Sequence, residues 1–63
     1  MRYDVMYCER KASARFIKIM DFKMGAQITM TWDEIGQVDQ ELRDLLFSME
    51  NDIKSGKKDY KNL

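Results

Sequence analysis

Hydrophobic and polar positions in this chain follow a period of two at first, then a helical period. "AQITMTW" alternates cleanly, with Ala26, Ile28, Met30 and Trp32 on one side and Gln27, Thr29 and Thr31 on the other. That is the pattern of a half-buried strand. The preceding "ARFIKIMDF" is rich in β-branched and aromatic residues, and "KMG" separates the two runs. A three-residue loop ending in Gly25 suits a hairpin, because glycine accepts a positive φ without strain. The pattern predicts this hairpin over residues 14–32. "RYDVMYCER" alternates as well, with Tyr3, Val5 and Tyr7 on one face and Asp4, Met6 and Cys8 on the other. It reads as a further strand joined through "RKASA"; a helical first segment is the alternative.

From Thr31 onward the period changes. Ile35, Val38, Leu42, Leu45, Leu46, Met49 and Ile53 recur at helical spacing and form one stripe. Thr31-x-x-Glu34 is a capping-box pattern, with Met30 and Ile35 placed as a hydrophobic staple. Asp33 and Glu34 at the start and Lys54, Lys57 and Lys58 at the end complement the helix dipole, and Gly56 supplies a stop. One continuous helix is expected from about Trp32 to Lys54, roughly 35 Å long at about 1.5 Å per residue. Seven-residue strands span only about 23 Å. The helix should therefore overhang its sheet, with Met49 and Ile53 on the overhang. The expected fold class is α+β: a three-stranded antiparallel β-meander followed by one long C-terminal amphipathic helix (βββα). Residues 1–56 form a single domain, and residues 57–63, basic and without pattern, a frayed tail.

Size then bears on assembly. A chain of 63 residues buries a modest core, and its stability from that core alone is marginal. Cys8 is the only cysteine and there is no histidine, so an intrachain disulfide and a structural zinc site are both excluded. A second subunit is the support that remains. The middle strand is apolar on both sides, with Ile17 and Ile19 on one and Phe16, Met20 and Phe22 on the other. One helix covers only one face, and an open apolar face marks an interface. A homodimer is expected, with Phe16, Met20, Phe22, Met49 and Ile53 in its interface.

Net charge is zero, yet unevenly distributed. Residues 1–32 carry Arg2, Arg10, Lys11, Arg15, Lys18 and Lys23 against Asp4, Glu9 and Asp21, about +3. Residues 33–53 carry Asp33, Glu34, Asp39, Glu41, Asp44, Glu50 and Asp52 against Arg43 alone, about −6. Asp39 and Arg43 are spaced for an i,i+4 pair, one of few available. An acidic helix face repels nucleic acid and attracts basic protein surfaces. Phe47 lies about 100° or more around the wheel from the stripe centre, so folding of the helix on its sheet does not account for it.

Candidate chemistry is sparse. Without histidine there is no Ser–His or Cys–His nucleophile pair, and three scattered glycines make no phosphate-cradling loop. No catalytic residue, metal or cofactor is expected. No run approaches a membrane span, the N-terminus lacks the apolar core of a signal peptide, and a lone cysteine suits the cytoplasm. The expected function is a small non-enzymatic protein-binding regulator or inhibitor. By size and composition it resembles phage and mobile-element proteins that act by occupying a partner. Asp39, Glu41, Asp44 and Phe47 are its candidate contacts with a basic protein surface. The alternative is a dimeric nucleic-acid-binding regulator using Arg10, Lys11, Arg15 and Lys18.

Overall fold

The computed structural model describes residues 1–57. Three strands, β1 (Tyr3–Lys11), β2 (Ala14–Asp21) and β3 (Ala26–Thr31), form an antiparallel sheet in the order β1-β2-β3. A 3₁₀ helix, Trp32–Gln37, and one α-helix, α1 (Gln40–Lys54), complete a βββα arrangement. No helix among the described residues is long and apolar enough to cross a membrane. The expected frayed tail lies, apart from Lys57, outside the described residues.

The meander is as expected, with three local differences. β1 does not alternate throughout. Val5 pairs with Ile19 and Tyr7 with Lys18, so Met6 is an extra residue, a bulge. The bulge reverses the faces beyond it. Tyr3, Val5 and Cys8 point into the core, while Tyr7 turns to the opposite face. The β1–β2 turn is a two-residue loop, Ala12–Ser13, in which Ala12 adopts φ +53°. The β2–β3 loop has four residues, Phe22 to Gly25, instead of three, with Gly25 at φ +64°. Asp21 sets this loop: its buried carboxylate accepts from the backbone N–H groups of Lys23 (3.0 Å) and Met24 (3.3 Å).

The C-terminal half is not one helix. Glu34 accepts the N–H of Thr31 (2.8 Å), but the turn that begins there is 3₁₀ and ends at Gln37. Val38 and Asp39 are extended, and Asp39 starts α1 by accepting the N–H of Leu42 (2.9 Å). Two capping signals eight residues apart thus open two helices, and the intervening break turns α1 back across the sheet. Arg43 spans the break, donating to the carbonyls of Val38 (2.9 Å), Ile35 (3.3 Å) and Gly36 (3.4 Å). At the other end Gly56, φ +78°, closes a Schellman motif: Lys57 N–H donates to Asp52 O (2.9 Å) and Gly56 N–H to Ile53 O (3.2 Å).

With 15 residues, α1 is about 22 Å long, no longer than the sheet it crosses. The expected overhang is absent. Met49, expected in a dimer interface, is buried in the chain's own core, and Ile53 packs against that core. The core is a single layer between the sheet and α1. Ile17, Ile19 and Met30 from β2 and β3 meet Leu42, Leu46 and Met49 from α1, with Tyr3, Val5 and Cys8 beside them.

Candidate partner-binding surface

The acids of the C-terminal half divide into those used by the fold and those left outside. Asp39 belongs to the first group. Beyond capping α1, it accepts the Tyr3 hydroxyl (2.6 Å) and lies 3.7 Å from the Arg2 guanidinium. The bond to Tyr3, then that to Leu42, holds its carboxyl below the usual aspartate range. The same bond, with burial, pushes the Tyr3 phenol up to about 12. The Asp39–Arg43 pair expected from spacing does not form, because Asp39 turns toward β1 and Arg43 toward the carbonyls of the break. Arg2 also makes a bidentate contact to Asp21 (3.0 and 2.9 Å), which lowers the Asp21 carboxyl.

Glu50 is likewise occupied. Its two oxygens accept from Arg15 at 2.8 and 2.6 Å in a mostly buried pair, and this bond holds the Glu50 carboxyl below its ordinary value. The Arg15 guanidinium lies over the Trp32 ring, 4.6 Å from its centroid. Trp32 in turn meets Phe47 edge to face, with centroids 6.0 Å apart and planes at 86°. This row of Glu50, Arg15, Trp32 and Phe47 supplies an intrachain neighbour for Phe47. It does not enclose it: Phe47 remains 49% exposed.

Glu41 and Asp44 remain outside. Both are exposed. Among the described residues Glu41 accepts only the backbone N–H of Arg2 (3.3 Å), and Asp44 only the side-chain amide of Gln40 (2.6 Å). Neither carboxylate pairs with a cation among the described residues. They rim a shallow cleft of ≈ 290 Å³ between α1 and β1, whose apolar lining comes from Leu45, Tyr3 and Met1. Phe47, one turn beyond Asp44, continues the outer face. Of the four candidate contacts, Glu41 and Asp44 line this cleft, Phe47 packs on Trp32 about 120° around α1 from Glu41, and Asp39 is bonded to Tyr3 and Leu42.

The four candidate nucleic-acid contacts do not form one patch. Arg10 and Arg15 pair across β1 and β2 on the helix side of the sheet. Lys11 and Lys18 lie on the opposite side, where Lys11 pairs with Glu9 (3.5 Å) and Lys18 sits 5.7 Å from the Tyr7 ring centroid. Of the dimer candidates, Phe16 and Met20 are half-buried on the open face of the sheet, but Phe22 is in the β2–β3 loop and 61% exposed. Cys8 is buried among core side chains, and that burial pushes its thiol up, away from reactivity. Among the described residues no cluster of Cys, Asp or Glu is placed to hold a metal ion.

Trp32, Arg43 and the Arg15–Glu50 pair were not apparent as organisers of this surface from sequence. Arg15 and Glu50 are 35 residues apart, a separation no local pattern reveals. Comparisons of sequence and fold give no relative: no protein-family model, curated protein or solved structure matches the chain.

Proposed function

We propose that this chain is a small, non-enzymatic binding protein, a regulator or inhibitor, that occupies a basic surface of a partner protein with the outer face of α1. The observation that carries this proposal is the chemistry left over once the fold is satisfied. Glu41 and Asp44 have no cation among the described residues, Phe47 is half exposed, and the three lie within an arc of about 120° on the side of α1 turned away from the core. A rigid helix presenting carboxylates around an aromatic anchor suits a partner rich in arginine or lysine. The cleft beneath Glu41 and Asp44 can accept the aliphatic stem of such a side chain, with its charged head on the carboxylates. The chain acts as a homodimer, which would present two such faces, and belongs with phage and mobile-element proteins that work by occupying a host protein.

The alternative, a nucleic-acid-binding regulator, draws less support. Arg15 is neutralised by Glu50, and the remaining cations are split between two faces. Affinity capture from the native host separates the two. The wild-type chain should retain one dominant protein with a basic surface, and Glu41→Gln with Asp44→Asn should release it without altering the fold. Retention of nucleic acid with steep salt dependence, lost on Arg10→Ala with Lys11→Ala, would favour the alternative.

A further inference from the structure

We propose that a second copy of the chain docks on the open face of the sheet, about a two-fold axis along the Tyr7–Phe16 diagonal. This gives a geometry to the homodimer proposed above and rests on that part of the proposal, not on what α1 binds. The strand register places Glu9 beside Phe16 and, in the next row of the same face, Tyr7 beside Lys18. These four side chains form a quadrilateral about 4.8 Å across the strands and about 6.8 Å along them. Its aromatic residues occupy one diagonal and its opposite charges the other. All four are only half buried within the chain.

Charge selects the axis. Lys18 is on the central strand, so a two-fold axis through it would set the two ammonium groups against each other. An axis along the aromatic diagonal avoids this. It sets Tyr7 and Phe16 each against its own copy and carries Lys18 of each copy over Glu9 of the other. The bulge at Met6 creates the arrangement, because without it Tyr7 would face the core. A hollow of ≈ 210 Å³ opens on this face between Tyr7, Glu9, Phe16 and Thr29, giving room for a facing ring. This axis crosses the strands of the two copies at about 70°, so the two faces share roughly 14 × 14 Å, on the order of 300 Å² per copy with side-chain relief. A total near 600 Å² is in the range of weak, transient contacts, so the dimer depends on the Lys18–Glu9 charge pairs and forms only at high concentration.

Sedimentation and light scattering on the full chain test this with Glu9→Lys and Lys18→Glu. The wild type should be dimeric at about 100 μM, and each single exchange should weaken association by about tenfold or more. Mixing the two variants should restore it. In the mixed dimer the lysine introduced at position 9 faces the glutamate introduced at position 18, and the native Lys18 of one copy faces the native Glu9 of the other. Circular dichroism confirms that each exchange leaves the fold intact, and Phe16→Ser provides a neutral second disruption. A monomeric wild type at that concentration overturns both the dimer and its geometry. A dimer that tolerates the exchanges and Phe16→Ser, or variants that fail to associate on mixing, overturns this face while leaving a dimer by another.

Discussion

Replacing Glu50 by glutamine should expose how much stability depends on the Arg15 row. The substitution keeps the shape and removes the charge. In the native chain two short bonds, 2.8 and 2.6 Å, hold Arg15 to Glu50, with the side chains 19% and 16% exposed. Charge-assisted bonds of this kind contribute about 1.5–3 kcal/mol, whereas breaking a fully buried pair costs about 3–5 kcal/mol. Partial solvent access and the Trp32 ring beneath the guanidinium favour the lower range, about 2 kcal/mol. For a domain of this size that is a fall in Tm of roughly 8–16 °C. Thermal melts followed by circular dichroism and Trp32 fluorescence read it directly. The effect has a pH signature. The folded Glu50 carboxyl is held below its unfolded value by Arg15, so its contribution is complete above the ordinary glutamate range. It is lost as pH falls through the folded value, and the two melting curves should converge in acid. A Tm change within about 2 °C at pH 7, well under the shift expected from the lost bonds, or a difference that persists unchanged in acid, would refute the reasoning.

Three further outcomes follow from the geometry. Ala12→Gly removes a left-handed strain of about 1–2 kcal/mol, partly offset by about 0.4–1 kcal/mol of unfolded-chain entropy, so the urea midpoint should rise; a fall would show that Ala12 is unstrained in solution. Leu46→Ala, at a fully buried position, should cost roughly 2–5 kcal/mol by cavity formation, whereas Phe47→Ala should change stability far less; equal effects would mean that the helix faces are misassigned. Ultraviolet titration should show a phenol ionising at about 12 that is missing in Tyr3→Phe. Because that folded value is raised, the Tyr3 contribution is complete below the ordinary phenol range and is lost as pH rises through about 12, so unfolding in alkali should accompany the late phenol.

Alternation and helical spacing sufficed for the βββα order, because both patterns are written in neighbouring residues. "AQITMT" can satisfy only one face at a time, and Leu42, Leu46 and Met49 can share only one helix stripe. The bulge at Met6 was not legible, since it is a mismatch between β1 and its partner and no single strand carries it. The break before α1 was partly legible: Asp39 is a good N-cap residue three positions before Leu42, but the earlier Thr31–Glu34 signal competed with it. The candidate surface was visible to the same extent. Exposed positions such as Glu41 and Asp44 follow from the wheel alone. The bonds that tie Asp39 into the fold were not legible because its partners, Tyr3 and Arg2, come from the other end of the chain. The same distance hid the neighbour of Phe47, since Trp32 meets it only after the chain turns back at Val38.

The most direct test is a binding titration of the captured partner protein against the wild-type chain and against Glu41→Gln/Asp44→Asn, with Tm measured in parallel. If the outer face of α1 is the contact, the double variant should bind at least about tenfold more weakly, lose most of the salt dependence of binding, and melt at the same temperature as the wild type. Equal affinity and equal salt dependence would contradict the account and move the contact to another surface.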